Sequence, residues 1–103
     1  MTPLGIDEAK ERLLSMIGET VYVHLEVNPE AYIRNVACRL KDVAIMGDHA
    51  YRVHLVFTEP AGLLSISGVT DFVDDGGAIV ITGFDDQSRI RQTLTVSRGC
   101  LAV

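Results

Sequence analysis

The chain has no tryptophan, and its aromatic side chains are limited to three Phe and three Tyr. Small barrels that bind nucleic acid or oligosaccharide across a face usually stack the ligand on aromatics, so the supply here is thin. Basic residues are also scarce: nine Lys and Arg stand against 14 Asp and Glu, a formal net charge of −5. That balance repels phosphate backbones, and no nucleic-acid partner is expected. There are two cysteines, Cys38 and Cys100, too far apart in sequence for a metal-ligand spacing. No apolar run approaches the ~18 residues of a membrane span, and no basic-then-apolar leader opens the chain. Reduced thiols, no membrane association and a cytoplasmic setting are the corresponding expectations. A serine nucleophile elbow, a P-loop and a dinucleotide-binding glycine pattern are all missing, so the common enzyme fingerprints are excluded.

What is present suits a folded domain. A chain of 103 residues, 48% hydrophobic and 22% charged, can build one core, and residues 1–103 are expected to form a single domain without a cofactor. GIDEAKERLLSMIG carries one apolar stripe at helical spacing (Ile6, Ala9, Leu13, Met16, Ile17). Asp7 and Glu8 suit the positive end of the dipole, and Gly18 suits a left-handed stop, which predicts a helix over 6–17.

The rest reads as strand. TVYVHLEV alternates between Val21, Val23, Leu25, Val27 and Tyr22, His24, Glu26. Asn28-Pro29-Glu30 reads as a turn. Strands are expected over about 20–27, 31–46, 51–58, 63–73, 78–83 and 89–96, with turn-forming DDGG and DDQS between the last three. The fold class is therefore mainly β: a small antiparallel barrel of bent strands with one N-terminal α-helix packed on it.

Parity along 31–46 breaks twice. Val36, Cys38 and Leu40 share one face, Val43 and Ile45 the opposite parity, and a one-residue slip reverses every side chain. An extra residue at Lys41-Asp42 repairs this as a bulge, pairing Ile45 with Tyr51, Val43 with Val53 and Leu40 with Leu55, around a Gly47-Asp48-His49 loop. A second break between Ile33 and Val36 predicts a bend near Asn35.

Two functional readings remain. His24, Glu26, Arg52 and His54 fall on outward parities, and a histidine–carboxylate pair with a second histidine suits a small ligand- or metal-binding barrel or a hydrolase. The plainer reading makes them solvated strand residues, with no catalytic group and no metal. Asp71, Asp74, Asp75, Asp85 and Asp86 crowd the turns but lack a calcium-loop pattern. Arg34, Arg39, Lys41 and Arg52 make only a modest basic strip. Apolar residues on both parities of AIVI, with Val56, Leu63 and Val69 opposite their strands' inward sets, predict a homodimer through Val56, Leu63, Val69, Ile79 and Ile81.

VYVHLEV, AYIRNV and AYRVHL, followed by GVTDF, resemble in order the YojF-like family of small uncharacterised bacterial proteins, over residues 6–96. The resemblance implies a compact β-barrel with no catalytic residues to carry over. It also implies an accessory role near low-molecular-weight thiol metabolism, and a protein partner. The leading expectation is a non-enzymatic interaction or accessory protein.

Overall fold

The computed structural model describes residues 1–28 and 30–101. Its elements are β1 (Thr2–Leu4), α1 (Ile6–Leu14), β2 (Thr20–Val27), β3 (Ala31–Asp48), β4 (Ala50–Glu59), β5 (Ala61–Val69), β6 (Asp71–Asp75), β7 (Ala78–Phe84) and β8 (Ile90–Ser97). All strands join one antiparallel sheet in the order β1-β6-β7-β8-β2-β3-β4-β5. Mainly β with one N-terminal helix is the observed class. It is a barrel only in a loose sense, because the ladder does not close and β1 and β5 remain its two ends.

The sheet nevertheless curls until β5 touches β7. The Thr70 amide donates to the Thr82 carbonyl at 2.9 Å, and the Gln92 side chain donates to the Ser67 carbonyl. Inside the curl lie Val21, Val23, Cys38, Leu40, Val53, Leu55, Ile66, Val69, Phe72, Ile79, Ile81, Leu94 and Val96, all buried. Each is the inward member of an alternating strand.

Helix α1 adds Ala9 and Leu13 to this core, with Met16 from the turn beyond. At its start the Glu8 carboxylate accepts from the Gly5 amide at 3.3 Å. It ends at Leu14, three residues short of the expected 6–17. The Ser15 hydroxyl donates to the Arg12 carbonyl at 2.6 Å, and Met16 and Ile17 bond three residues back rather than four, tightening the chain out of the α-helix. Ile17 is consequently exposed. Gly18, at φ +88°, reverses the chain and donates to the Leu40 carbonyl at 2.8 Å.

Both expected breaks in β3 exist. Leu40 pairs with Phe57 and Asp42 with Val56, leaving Lys41 as the extra residue. Between β2 and β3 the register shifts from Val23–Val36 to Leu25–Ile33, and Asn35 takes φ +58°. The β3–β4 register is two residues from the one expected: Ile45 faces Val53 and Gly47 faces Tyr51. A two-residue slip keeps every side chain on its predicted face. It arises because Gly47 and His49 both adopt positive φ, so the chain reverses between Asp48 and Ala50 rather than around Gly47-Asp48-His49.

Two further differences concern strands. The expected strand 63–73 is two strands divided at Thr70, with Gly68 at φ +71° just before the break. The short strand β1, pairing with β6, was not expected. The predicted Asn28-Pro29-Glu30 turn includes Pro29, which lies outside the described residues.

Candidate functional site

The four residues of the histidine reading do not meet. His24 and Glu26 line one shallow pocket of about 150 Å³ with Arg34, Thr93, Thr95 and Leu101, whereas Arg52 lines another beside Met46 and Gly68. His54 stands across from Ala44 and Ser65. Val36, next to the His24 position, lies eight residues from Ala44 on β3, about 26 Å of extended chain at ~3.3 Å per residue. Among the described residues no group of three His, Cys, Asp or Glu is placed to hold a metal ion.

Nor is His24 a solvated strand residue, for it is only 5% exposed. The Asn35 amide donates to its Nδ1 at 2.9 Å. A backbone N–H can only donate, so in the neutral ring the proton sits on Nε2. Nε2 meets Ser97 Oγ at 2.9 Å, and Ser97 in turn donates to the Gly99 carbonyl at 2.8 Å. The imidazole therefore donates to Ser97, and both ring nitrogens are committed to structure. Burial, aided by the nearby positive charge of Arg34, holds the His24 pKa below its ordinary value of 6.5. The Asn35 side chain extends the network, donating to the Leu101 carbonyl and accepting from the Leu101 amide, each at 2.8 Å. The segment after β8 thus covers a face of β2 that its own alternation marks as outward.

His54 differs again. It is half-buried, and its enclosed Nε2 has no hydrogen-bond partner among the described residues. His49, on the hairpin tip, is exposed. The turn aspartates serve as local acceptors. Asp85 accepts from the amides of Gln87 and Arg89, each at 2.9 Å, and these bonds, with the Arg89 side chain, lower its pKa. Asp74 is lowered chiefly by its bond from Arg12. Cys38 is buried and Cys100 exposed, both free, and burial raises the Cys38 thiol.

The proposed interface set also changes. Val69, Ile79 and Ile81 are fully buried inside the chain's own curl, so they are unavailable to a partner. On β7 the isoleucines face inward, and Ala78 and Val80 occupy the opposite parity, half-buried. Val56 is half-buried and Leu63 is 62% exposed.

A different apolar feature was missed in the sequence. Between β2, β3, β4 and β5 the inner face opens into a mouth of about 430 Å³. It is lined by Leu25, Ile33, Val36, Phe57, Leu63 and Leu64, with Val23 and Cys38 among the deeper residues. Helix α1 contributes nothing to its lining. Ile33 is 53% and Val36 39% exposed although both pair with inward residues of β2. The signal was available: the Asn35 bend turns both residues to the inward face, which no helix in the sequence is long enough to cover entirely.

An incompletely closed eight-stranded sheet, filled on one side by a short helix and open at an apolar mouth, defines a small mainly-β protein. The chain belongs to the DUF1806 family, proteins of unknown function, whose profile matches residues 3–101. The crystal structure of the Bacillus subtilis YojF protein resembles it with a TM-score of 0.86, over 99% of this chain and 97% of that one, at 23% identity. This likeness establishes a shared fold, and with the family match it supports the YojF-like resemblance read from the strand order. No curated protein matches the chain. No helix among the described residues is long and apolar enough to cross a membrane.

Proposed function

We propose that this chain is a non-enzymatic interaction protein that works as a homodimer in the cytoplasm. The observation that carries the reading is the open mouth, where Leu25, Ile33, Val36 and Phe57 form a contiguous apolar surface. Exposed singly such residues need no explanation, but a contiguous hollow favours a partner. Free Cys38 and Cys100 accord with a reducing compartment. Sedimentation equilibrium at micromolar concentration should return twice the 11.2 kDa chain mass. A monomer throughout that range overturns the homodimer.

The family resemblance extends the proposal to an accessory role in low-molecular-weight thiol metabolism, exercised through a protein partner. Cells lacking the chain should then show altered thiol pools. Unchanged pools under growth and oxidative stress overturn this part alone.

A further inference from the structure

The two ends of the sheet are protected very differently. β1 is only three residues long and contains Pro3, and shortness and proline are both devices that blunt a strand edge. β5 has nine residues and pairs on one side only, with β4. Its last residues approach β7, but no other strand pairs with Ala61–Ile66 among the described residues. Alternate residues of such a strand direct their N–H and C=O groups away from their one neighbour. The stretch Ala61-Gly62-Leu63-Leu64-Ser65-Ile66-Ser67 carries neither charge nor proline. Charge and proline, two of the usual guards against edge pairing, are therefore absent from this part of the longer edge.

The same edge borders the apolar mouth, since Gly62, Leu63, Leu64 and Ser65 form part of its rim. Leu63 projects, at 62% exposed, from the outward parity of β5 opposite Val56, while Leu64 faces the hollow of about 430 Å³. Antiparallel pairing about a two-fold axis keeps outward residues on one side of the joined sheet, so two copies of Leu63 can cover one another across the edge. Electrostatics admit the same occupant at this edge. Two copies of a chain with net charge −5 repel one another, and the uncharged β5 edge lets them meet without opposing like charges.

We propose that the β5 edge is the homodimer surface: a second copy pairs its own β5 antiparallel to this one, and the two Leu63 side chains cover each other on the outer face. The inference rests on the self-association proposed above and assigns it to a particular strand. Pairing satisfies the outward backbone groups of Ala61–Ile66 and buries the exposed Leu63.

The experiment compares the full chain with L63K and S65K, whose new charges sit on exposed positions of the edge, and with I90K, at an exposed position of β8. In sedimentation equilibrium the parent and I90K should be dimers. L63K and S65K should raise the dimer dissociation constant by at least about 100-fold while keeping the parent's far-ultraviolet circular dichroism. Amides 61–66 of the parent should also gain hydrogen-exchange protection as concentration rises, a readout independent of any variant. A dimer unaffected by L63K and S65K, without concentration-dependent protection at 61–66, overturns the β5 assignment and leaves self-association standing. A monomeric parent overturns both, including the case in which a different protein fills the mouth.

Discussion

The Asn35 amide donates to Nδ1 of His24 across the β2–β3 ladder at 2.9 Å. This places a side-chain acceptor where the bulge leaves a backbone donor without a ladder partner. Asn35 at φ +58° is thus held from one side by the imidazole and from the other by Leu101. One buried histidine connects β2, β3, β8 and the last described residues.

That geometry makes His24 acid-sensitive. A proton on Nδ1 would face the Asn35 N–H, and the folded-state pKa lies below the ordinary 6.5 because burial disfavours the charged ring. The unfolded chain takes up this proton first. The contribution of His24 is therefore complete above pH 6.5 and lost as pH falls toward the folded-state value. Glu19, Asp74 and Asp85 have pKa values lowered from 4.5, 3.8 and 3.8, so their losses come in more acid solution. Urea unfolding between about pH 7 and about pH 5 should show the parent losing stability. H24L should be less stable by about 1–3 kcal/mol at neutral pH, with Asn35 N–H left unpaired, and its pH slope in this window should be shallower. Identical slopes would remove His24 from the account.

Asn35 has two separable tasks, tolerating a left-handed backbone and clamping Leu101. N35G keeps the first and deletes the second, while N35A deletes both and adds a left-handed cost of about 1–2 kcal/mol. Both variants should lose hydrogen-exchange protection at the Leu101 amide, and N35A should unfold at a lower urea midpoint than N35G. Equal midpoints would contradict the backbone argument. Retained protection at Leu101 would contradict the clamp.

These relationships show which parts of the molecule a sequence exposes. Alternation in 20–27 identifies β2, and the parity reversals around Asn35 and Lys41 locate both bulges, because packing forces each apolar side chain to one face. The sheet's failure to close depends on how tightly the curl meets itself at Gly68 and Gly83, which local periodicity does not carry. Both parities of β7 are apolar, so the sequence alone places Ile79 and Ile81 at an interface, and only the neighbouring Leu94 and Val96 reveal which face is covered. His24 sits on the polar parity of its strand. Its burial follows from contacts with Ser97 and the segment ending at Leu101, more than seventy residues away.

Helix α1 is held by packing more than by charge. Leu13 is fully buried, whereas the Arg12–Asp74 pair, at 2.9 Å, retains side-chain exposures of 34% and 28%. L13A should cost about 2–5 kcal/mol, and R12A only a small fraction of that, because solvent and salt screen a partly exposed pair. Raising salt should narrow the difference between R12A and the parent and leave L13A unchanged. An R12A variant as unstable as L13A would mean that the guanidinium anchors the helix.

The closest approach between the two flanks of the curl should be the least tolerant of added volume. A Cβ at Gly83 would lie 2.5 Å from the Gly68 carbonyl oxygen and 3.3 Å from its carbon. Both are backbone atoms, and Gly68 is itself at φ +71°, so no flexible side-chain end can yield instead. G83A must push β7 away from β5, weakening the Thr70–Thr82 and Gln92–Ser67 hydrogen bonds of the seam. We expect a loss of about 1–3 kcal/mol, read as a fall in Tm of at least about 4 °C, with faster exchange of the Thr70 amide. G99A is the appropriate comparison, because nothing lies within 4 Å of a Cβ there and its φ is outside the left-handed region, so its stability should match the parent within about 0.5 kcal/mol. If G83A and G99A unfold together, the seam is looser than its geometry indicates, and the curl depends on core packing alone.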